Sequence, residues 1–221
     1  MRPDALIFDF DGVLIESEAE GNRHIAAWLS DVGHPTTPEQ SMANFMGLSG
    51  PDFLGAVERW IGGPIPAGFH DARQQENERC LAEGIAAVAG AIAFVRALPA
   101  DLPRAIASSS RVRWIRRHLE HIGLADAFGE HLYSGGEHVT RGKPASDLYL
   151  HAAAQLGVPI DRCAIIEDSP VGATGAVASG ARVIGLAAAT HCGPDHAARL
   201  ERIGVHAVAR DFAEVARLLA L

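Results

Sequence analysis

The 221-residue sequence is poor in cysteine, in aromatic residues and in long apolar runs. Its three cysteines, Cys80, Cys163 and Cys192, are too few and too scattered for a disulfide framework or a paired-cysteine zinc site, so we expect reduced, buried thiols. The longest uncharged apolar stretch, residues 84–95, is too short to cross a bilayer. The N-terminal apolar run ends at Asp9 and is too short for a signal-peptide core. The sequence therefore predicts a soluble, cytoplasmic protein without a membrane partner.

Positive charge is also scarce. The chain has 19 Lys and Arg residues against 27 Asp and Glu, for a net charge of −8. Because a duplex-binding surface needs concentrated basic residues, we expect no nucleic-acid partner. The 48% hydrophobic and 21% charged composition is typical of a globular chain, and its length favours one large domain or a core with a smaller insert.

Short apolar runs rich in Ile, Val, Leu and Ala alternate with longer helical patterns. Continuous apolar runs are typical of strands that are buried on both faces of a parallel sheet. These runs are residues 5–8, 104–107, 163–166 and 182–185, with a weaker one at 205–208. The helical patterns lie at residues 91–98, 112–122, 147–156, 171–179 and 212–219. The alternation predicts an α/β fold, a Rossmann-like parallel sheet with helices on both faces.

Residues 16–85 break this alternation. The segment has helical periodicity and turn clusters at residues 33–35 and 62–64, but no convincing buried strand. We interpret it as a small helical-bundle cap inserted after the first strand. The core then comprises residues 1–15 and 86–221.

Polar residues directly follow three of the predicted strands. Asp9 and Asp11 follow the first, Ser108 and Ser109 follow the second, and Glu167 and Asp168 follow the run at 163–166. The carboxyl ends of parallel strands form one ligand crevice, so these side chains are expected to converge. Several carboxylates brought close together need a cation, and oxygen donors suit Mg²⁺. With Lys143 as a fixed positive charge, these are the groups that phosphoryl transfer through an aspartyl-phosphate requires.

Each piece also has an ordinary structural explanation. The aspartates can be a strand end before a turn, the serines a helix cap, and Lys143 a solvated surface charge. Glu167 and Asp168 can be N-terminal residues that favour a helix dipole. Taken together, in this order and at these strand ends, they favour the functional interpretation.

Other motifs fail on inspection. A Walker-type phosphate loop ending at Lys143 needs glycine where Glu137 stands, and the nucleophile-elbow pattern at residues 47–50 is broken by Pro51. His191 and His196 flank Cys192 and could hold a soft metal, but their spacing is not helical and Gly-Pro lies between them. We interpret that stretch as a loop.

The ordered motifs resemble those of the haloacid dehalogenase-like hydrolase superfamily, and within it the phosphatases and phosphomutases related to β-phosphoglucomutase, which carry an alpha-helical cap. The four motifs are residues 9–14, 107–110, 142–144 with Asp147, and 166–170 with Gly172. The resemblance covers essentially the whole chain. It is specific for the superfamily and says little about the substrate.

The resemblance implies catalytic roles for three residues. Asp9 is the expected nucleophile toward phosphorus, and Asp11 is the expected acid that protonates the leaving oxygen and then activates water. Lys143 offsets the charge of Asp9 and, with Ser108 and Ser109, binds the transferring phosphoryl group.

The resemblance also implies a Mg²⁺ cofactor. Its expected ligands are the Asp9 carboxylate, the Asp11 backbone carbonyl and Asp168, with Glu167 adjacent or acting through water.

The cap segment departs from the phosphomutase pattern. Related mutases present an arginine to the second phosphate, whereas residues 45–51 contain none, so the charged grip for that phosphate is missing. We therefore favour a phosphatase that hydrolyses a small phosphorylated metabolite, of sugar- or polyol-phosphate type. Glu18, Asn22 and Asn44 are candidate substrate contacts, each of which can equally be a solvated polar residue.

Two alternatives stay open at this point. One is a β-phosphoglucomutase-like phosphomutase, and the other is a catalytically silent binding module of the same fold. In every case we expect a small phosphorylated metabolite as ligand and a monomer or weak dimer.

Overall fold

The computed structural model describes residues 2–46, 48 and 50–221. The chain forms two compact units, one running up to Glu16 and continuing over Ala86–Leu221, the other formed by Ser17–Ile85. Glu16 lies in the first unit, where its amide donates a hydrogen bond to the Ala86 carbonyl at 2.9 Å. The sequence-predicted boundary after residue 15 falls one residue earlier than this division.

A six-stranded, all-parallel sheet forms the centre of the first unit. Its strands are β1 (Ala5–Phe8), β2 (Arg104–Ser108), β3 (Leu132–Ser134), β4 (Cys163–Glu167), β5 (Arg182–Leu186) and β6 (Ala207–Ala209). They are arranged in the order β3-β2-β1-β4-β5-β6, with β1 between β2 and β4. Every residue of β1 and β4 is buried, which explains their continuous apolar sequences. The α/β class predicted from the sequence is confirmed.

In the described part of the second unit there are four helices: α1 (Ser17–Asp31), α2 (Pro38–Phe45), α3 (Gly50–Ile61) and α4 (Phe69–Glu83). Its described residues contain no strand, in keeping with the helical periodicity of the sequence. Leu29, Phe45, Val57 and Phe69 belong to one buried cluster of this unit. Thr37 and Gln40 form a reciprocal capping box at the start of α2.

The helices of the first unit are α5 (Ala91–Ala97), α6 (Val112–His121), α7 (Asp147–Leu156), α8 (Pro170–Ala178), α9 (His196–Ile203) and α10 (Phe212–Leu219), with a short 3₁₀ turn at Ile160–Arg162. None of the helices in the described part of the chain has the length and apolarity to cross a bilayer.

Both faces of the sheet are covered. Ile7 of β1 belongs to a buried cluster that includes Tyr149 and Ala176 of the helices α7 and α8. The neighbouring Phe8 packs edge-on against Phe94 of α5, with ring centroids 6.2 Å apart. Successive strand residues point to opposite faces, so β1 is anchored from both sides and the position of its carboxyl end is fixed.

Two strands and one helix of the first unit depart most from the sequence predictions, and the other predicted ranges in that unit agree to within one residue at each end. β3 has only three residues at the sheet edge, too few to give an apolar run, and was not predicted. β6, at the other edge, spans Ala207–Ala209 rather than 205–208. Helix α9 was also missed, and it begins at His196, so the predicted loop around Cys192 ends one residue earlier.

Candidate active site

The turn after β1 brings the first motif to the carboxyl edge of the sheet. Asp9 is buried, and its amide continues the sheet by donating to the Ile166 carbonyl of β4 at 2.9 Å. Gly12 has φ of +77°, a conformation that favours glycine. A Cβ atom there would lie 2.0 Å from Asp168 Oδ2, so even alanine would displace that carboxylate. The glycine is therefore required by its backbone conformation and by the space that Asp168 occupies.

Three buried carboxylates meet at this edge. Asp9, Glu167 and Asp168 each contribute an oxygen atom, and these oxygens all lie within 4.8 Å of one another. Like charges this close, removed from water, repel one another unless a cation neutralises them. An all-oxygen donor set of this kind fits Mg²⁺, a hard cation.

Lys143 supplies the positive charge beside this cluster. Its Nζ lies 2.8 Å from Asp9 Oδ1 and 2.6 Å from Glu167 Oε1, and its side chain is 3% exposed. The ammonium also lies 5.2 Å from the ring centroid of Tyr149, within cation–π range. Burial alone would lower the pKa of Lys143, but the Asp9 and Glu167 carboxylates outweigh it and raise the pKa well above its ordinary value. The lysine is therefore positively charged.

Asp9 and Glu167 share Lys143, but their pKa values are shifted in opposite directions. Burial and then the charge of Glu167 raise the pKa of Asp9, despite the attraction of Lys143. For Glu167, burial is outweighed by Lys143, by the Ser169 amide at 2.8 Å and by the Tyr149 hydroxyl at 2.8 Å, so its pKa is lowered. Glu167 therefore has three donors beside it, from Lys143, Tyr149 and the Ser169 amide, and it shares the Lys143 ammonium with Asp9.

Asp11 is held from the side of β2 and α6. Its Oδ2 accepts hydrogen bonds from Ser110 Oγ at 2.6 Å and from Ser108 Oγ at 3.3 Å. Its Oδ1 accepts from the Trp114 indole nitrogen at 3.1 Å. The structure thus brings Asp11 next to the second motif. Ser109 is exposed, between these two serines.

The predicted contacts in the second unit differ in their surroundings. Asn22 is buried, donates to the Glu18 carbonyl at 2.8 Å and accepts from Ser41 Oγ at 2.8 Å. Asn44 is exposed and donates to the Gln40 carbonyl. Glu18 is half-buried in the first turn of α1.

Two residues of the segment 45–51, on which the sequence-based argument against a phosphomutase depends, are not described by the structure. Gly47 and Ser49 belong to the neutral segment 45–51 and to the rejected nucleophile-elbow pattern, and both lie outside the described residues.

Several residues that contact the site carry no recognisable signal in the sequence. These are Ser110, Trp114, Tyr149, His191 and His196. Trp114 lies four residues after Ser110, in the first turn of α6, and nothing in that spacing indicates a carboxylate partner. Lys143, by contrast, stands out in the composition, because it is the single lysine of the chain.

Known proteins align with the chain over nearly its full length. A family model described as haloacid dehalogenase-like hydrolase matches residues 3–180. Hexitol phosphatase A of Escherichia coli (strain K12) is 30% identical over an alignment covering 84% of this chain and 84% of that protein. The 6-phosphogluconate phosphatase of the same organism is 25% identical, covering 87% and 86%.

Solved structures give the same result. A haloacid dehalogenase-like protein from Agrobacterium tumefaciens str. C58 has 33% identity and a TM-score of 0.89, covering 98% of this chain and 97% of that one. A HAD family hydrolase from Deinococcus radiodurans R1, solved with bound phosphate and sodium, has 36% identity and a TM-score of 0.87, covering 98% and 95%. With a family model over most of its length and relatives that match it from end to end, the chain belongs to the haloacid dehalogenase-like hydrolase family.

Proposed function

We propose that the protein is a magnesium-dependent phosphatase that hydrolyses a small phosphorylated metabolite, of sugar- or polyol-phosphate type, through an aspartyl-phosphate. The observation that carries the proposal is the Lys143 ammonium, which lies 2.8 Å from Asp9 inside a buried cluster of three carboxylates. Relatives named hexitol phosphatase and 6-phosphogluconate phosphatase support hydrolysis of a phosphoric monoester and this class of substrate.

Asp9 is the nucleophile in this proposal. Lys143 fixes its Oδ1, so Oδ2 attacks the phosphorus. A bond forms between that oxygen and phosphorus as the bond from phosphorus to the leaving alkoxide oxygen breaks. The product is a phosphorylated Asp9 and a free alcohol.

Asp11 handles the protons. It gives a proton to the leaving oxygen in the first step and takes one from the attacking water in the second, which releases inorganic phosphate and restores Asp9. Ser108, Ser110 and Trp114 orient its carboxyl group through the hydrogen bonds described above.

A bound Mg²⁺ would supply charge neutralisation at the transferring phosphoryl group and at Asp9. Asp9, Asp168 and the backbone carbonyl of Asp11 would hold it. Glu167 lies in the same cluster, but its oxygens accept from Lys143, Tyr149 and the Ser169 amide, so we assign it chiefly the role of holding Lys143. Ser108, Ser109 and Lys143 bind the phosphoryl oxygens.

The test is phosphate release from a panel of sugar, polyol and aryl phosphates. We expect Mg²⁺-dependent hydrolysis that EDTA abolishes and that Asp9→Asn eliminates. Asp101→Asn, at an exposed aspartate in the turn before β2, serves as the matched control and should keep full activity. Interconversion of sugar phosphate isomers would instead identify a phosphomutase. No metal-dependent hydrolysis, even of an aryl phosphate, would identify a silent binding module.

Asp11→Asn tests the second role. Loss of acid and base assistance should slow turnover by roughly 10²–10⁴-fold, most strongly for substrates with poor leaving groups. Full activity of this variant on a sugar phosphate would show that Asp11 has no such role.

A further inference from the structure

Two histidines contact Asp168 from the segment that follows β5. His191 Nε2 lies 3.0 Å from Asp168 Oδ2, and both side chains are 2% exposed. His196 Nε2 lies 2.6 Å from the backbone carbonyl oxygen of Asp168 and is also buried. One residue at the carboxyl end of β4 is thus held at its side chain and at its backbone.

The chemistry of these contacts fixes the donors. Carboxylate and carbonyl oxygens only accept, so the Nε2 atoms of His191 and His196 must both carry the hydrogen. Both imidazoles therefore donate to Asp168. This is the arrangement in which groups around a metal site orient a carboxylate ligand.

The segment that carries the histidines is itself anchored. Glu16 Oε2 accepts hydrogen bonds from the Thr190 amide at 2.9 Å and from Thr190 Oγ1 at 2.7 Å. The Cys192 amide donates to the Ala189 carbonyl, which closes a turn directly at His191. A Cβ at Gly12 would lie 3.0 Å from His191 Cε1, so the ring fits against the bare backbone of the first motif.

We propose that His191 and His196 are positioning residues that orient Asp168 toward the divalent cation. The proposal rests on the proposed function, because it takes Asp168 as a ligand of that cation. His191 holds the Asp168 carboxylate at Oδ2 and so restricts its rotation. His196 fixes the peptide that joins Asp168 to Ser169, the residue that caps α8.

A competing explanation is a separate site for a soft metal. His191, Cys192 and His196 each offer a ligand atom, and these atoms lie within 4.8 Å of one another. Zinc requires a deprotonated ring nitrogen and a thiolate. His191 Nε2, which lies 3.6 Å from Cys192 Sγ, is the nitrogen that donates to Asp168. The contacts therefore favour orientation of Asp168 over ligation of a second metal.

The experiment measures Mn²⁺ binding to the metal-free, full-length protein by calorimetry. We expect His191→Leu to weaken Mn²⁺ binding by roughly 10–100-fold, and His191→Gln, which keeps a donor, to recover part of that loss. His196→Leu should weaken it less, because the Asp168 side chain keeps its contact with His191. The control is His206→Gln, at an exposed histidine whose ring accepts from the Val183 amide, and it should bind Mn²⁺ like the wild type.

A second readout separates positioning from mere support of the fold. The Mg²⁺ concentration for half-maximal hydrolysis should rise in His191→Leu, while the substrate KM at saturating Mg²⁺ stays close to that of the wild type. A purely structural role would lower the thermal unfolding midpoint and the active fraction without moving the Mg²⁺ requirement.

The possible outcomes separate the positioning role of the histidines from the proposed phosphatase function. If His191→Leu and His191→Gln both bind Mn²⁺ as tightly as the wild type, the positioning role is wrong while the phosphatase stands. If the wild type hydrolyses no phosphate but binds Mn²⁺ and the variant binds it weakly, the positioning role holds and the proposed function is wrong. A wild type that binds no Mn²⁺ overturns both. Stoichiometric zinc that is lost in Cys192→Ala, but kept in Cys163→Ala, would make the histidines metal ligands and overturn the proposal.

Discussion

The Lys143 ammonium lies between Asp9 Oδ1 and Glu167 Oε1, with the Tyr149 ring beside it. This space admits a compact point charge. A guanidinium is planar and wider, and directs its donors in a fixed fork, so it does not reproduce both short contacts without moving a carboxylate. The other 18 residues of the Lys and Arg total are arginines, so Lys143 is the one position where the chain carries the compact ammonium.

We therefore expect neither Lys143→Met nor Lys143→Arg to be active. Lys143→Met leaves two buried carboxylates without their partner, which should cost about 3–5 kcal/mol in the free energy of unfolding and at least about 10²-fold in kcat/KM. Lys143→Arg keeps the charge but should not recover the rate. Urea unfolding and steady-state kinetics provide the measurements. The control is Arg141→Met, which removes an exposed ion pair with Asp147 and should change stability by less than about 1 kcal/mol.

His118 is a second residue whose burial should have a measurable effect, in this case on how stability depends on pH. It is completely buried in α6 against Trp114, with ring centroids 4.2 Å apart, and neither ring nitrogen finds a hydrogen-bond partner among the described residues. Burial lowers its pKa to about 4. The folded protein therefore keeps this imidazole neutral at pH values where an unfolded chain protonates it.

Because the unfolded state binds the extra proton, stability should fall as the pH drops from about 6.5 to 4. The contribution of His118 over this interval is on the order of 3 kcal/mol, all of it present above pH 6.5. In urea unfolding at pH 7 and pH 4, His118→Leu should lose correspondingly less stability than the wild type. Parallel losses in His118→Leu and the wild type would show that the buried imidazole is not the cause.

At the level of secondary-structure elements, hydrogen bonds of Ser169 connect the end of β4 to the start of α8. They include Glu167, which belongs to the site. Ser169 Oγ accepts from the Gly172 amide at 3.0 Å as the N-cap of α8, and it also donates to Glu167 Oε2 at 3.2 Å. A Cβ at Gly172 would lie 1.6 Å from Glu167 Oε1, so the first turn of α8 closes tightly over that carboxylate. Through Glu167, the start of the helix also sets the position of Lys143.

Two N-caps allow the effects on stability and on catalysis to be separated. Ser169→Ala and Asp211→Ala each remove a side-chain acceptor from the first turn of a helix, α8 or α10, and each should cost about 1 kcal/mol. Only Ser169→Ala should also lower kcat, because it loosens Glu167 and Lys143. Equal kcat values in the two variants would mean that the cap has no influence on the site. Thermal unfolding and kinetics at saturating Mg²⁺ make the comparison.

For the whole molecule, the ends of β1 and β4 are a place where electrostatic repulsion lowers the stability of the fold. An acidic protein of net charge −8 gathers Asp9, Glu167 and Asp168 at one point, with Lys143 as the cation beside them. Their mutual repulsion opposes folding, and a bound divalent cation would offset it. The metal is therefore expected to act on stability as well as on the reaction.

At a Mg²⁺ concentration 100 times its dissociation constant, the folded state should gain about 2.7 kcal/mol, which corresponds to roughly 5–10 °C in the unfolding midpoint. Asp168→Asn should abolish this gain and raise the midpoint of the metal-free protein, because one like charge is removed. Asp101→Asn should behave as the wild type. A Mg²⁺ shift that survives in Asp168→Asn would place the cation elsewhere. Differential scanning calorimetry with and without EDTA gives both numbers.

The parts of this molecule that could be predicted from its sequence are those fixed by local pattern or by strand direction. Helices α7 and α10 match their predicted ranges, because apolar periodicity and, for α7, a C-terminal glycine define them. The convergence of Asp9 with Asp168 follows from parallel strands alone. Short edge strands such as β3 leave too little pattern to detect.

Contacts that depend on packing between distant segments were not accessible in the same way. The contacts of Trp114 with Asp11 and of His191 with Asp168 form only when β1 lies between β2 and β4 in the sheet. Asn22 and Ser41 give a further case, a hydrogen bond that joins α1 to α2. In each instance the two partners are separated in sequence by a segment whose path the local pattern does not specify.

The strand order has a consequence for biosynthesis. β1 emerges first from the ribosome, yet one of its two neighbours, β4, is translated only after most of the chain. Until Cys163–Glu167 has left the exit tunnel, the segment Ala5–Phe8 keeps one unsatisfied edge and its apolar side chains lack their cover. Nascent chains stalled before that point should be held by chaperones, and those long enough for β4 to have left the tunnel should be released.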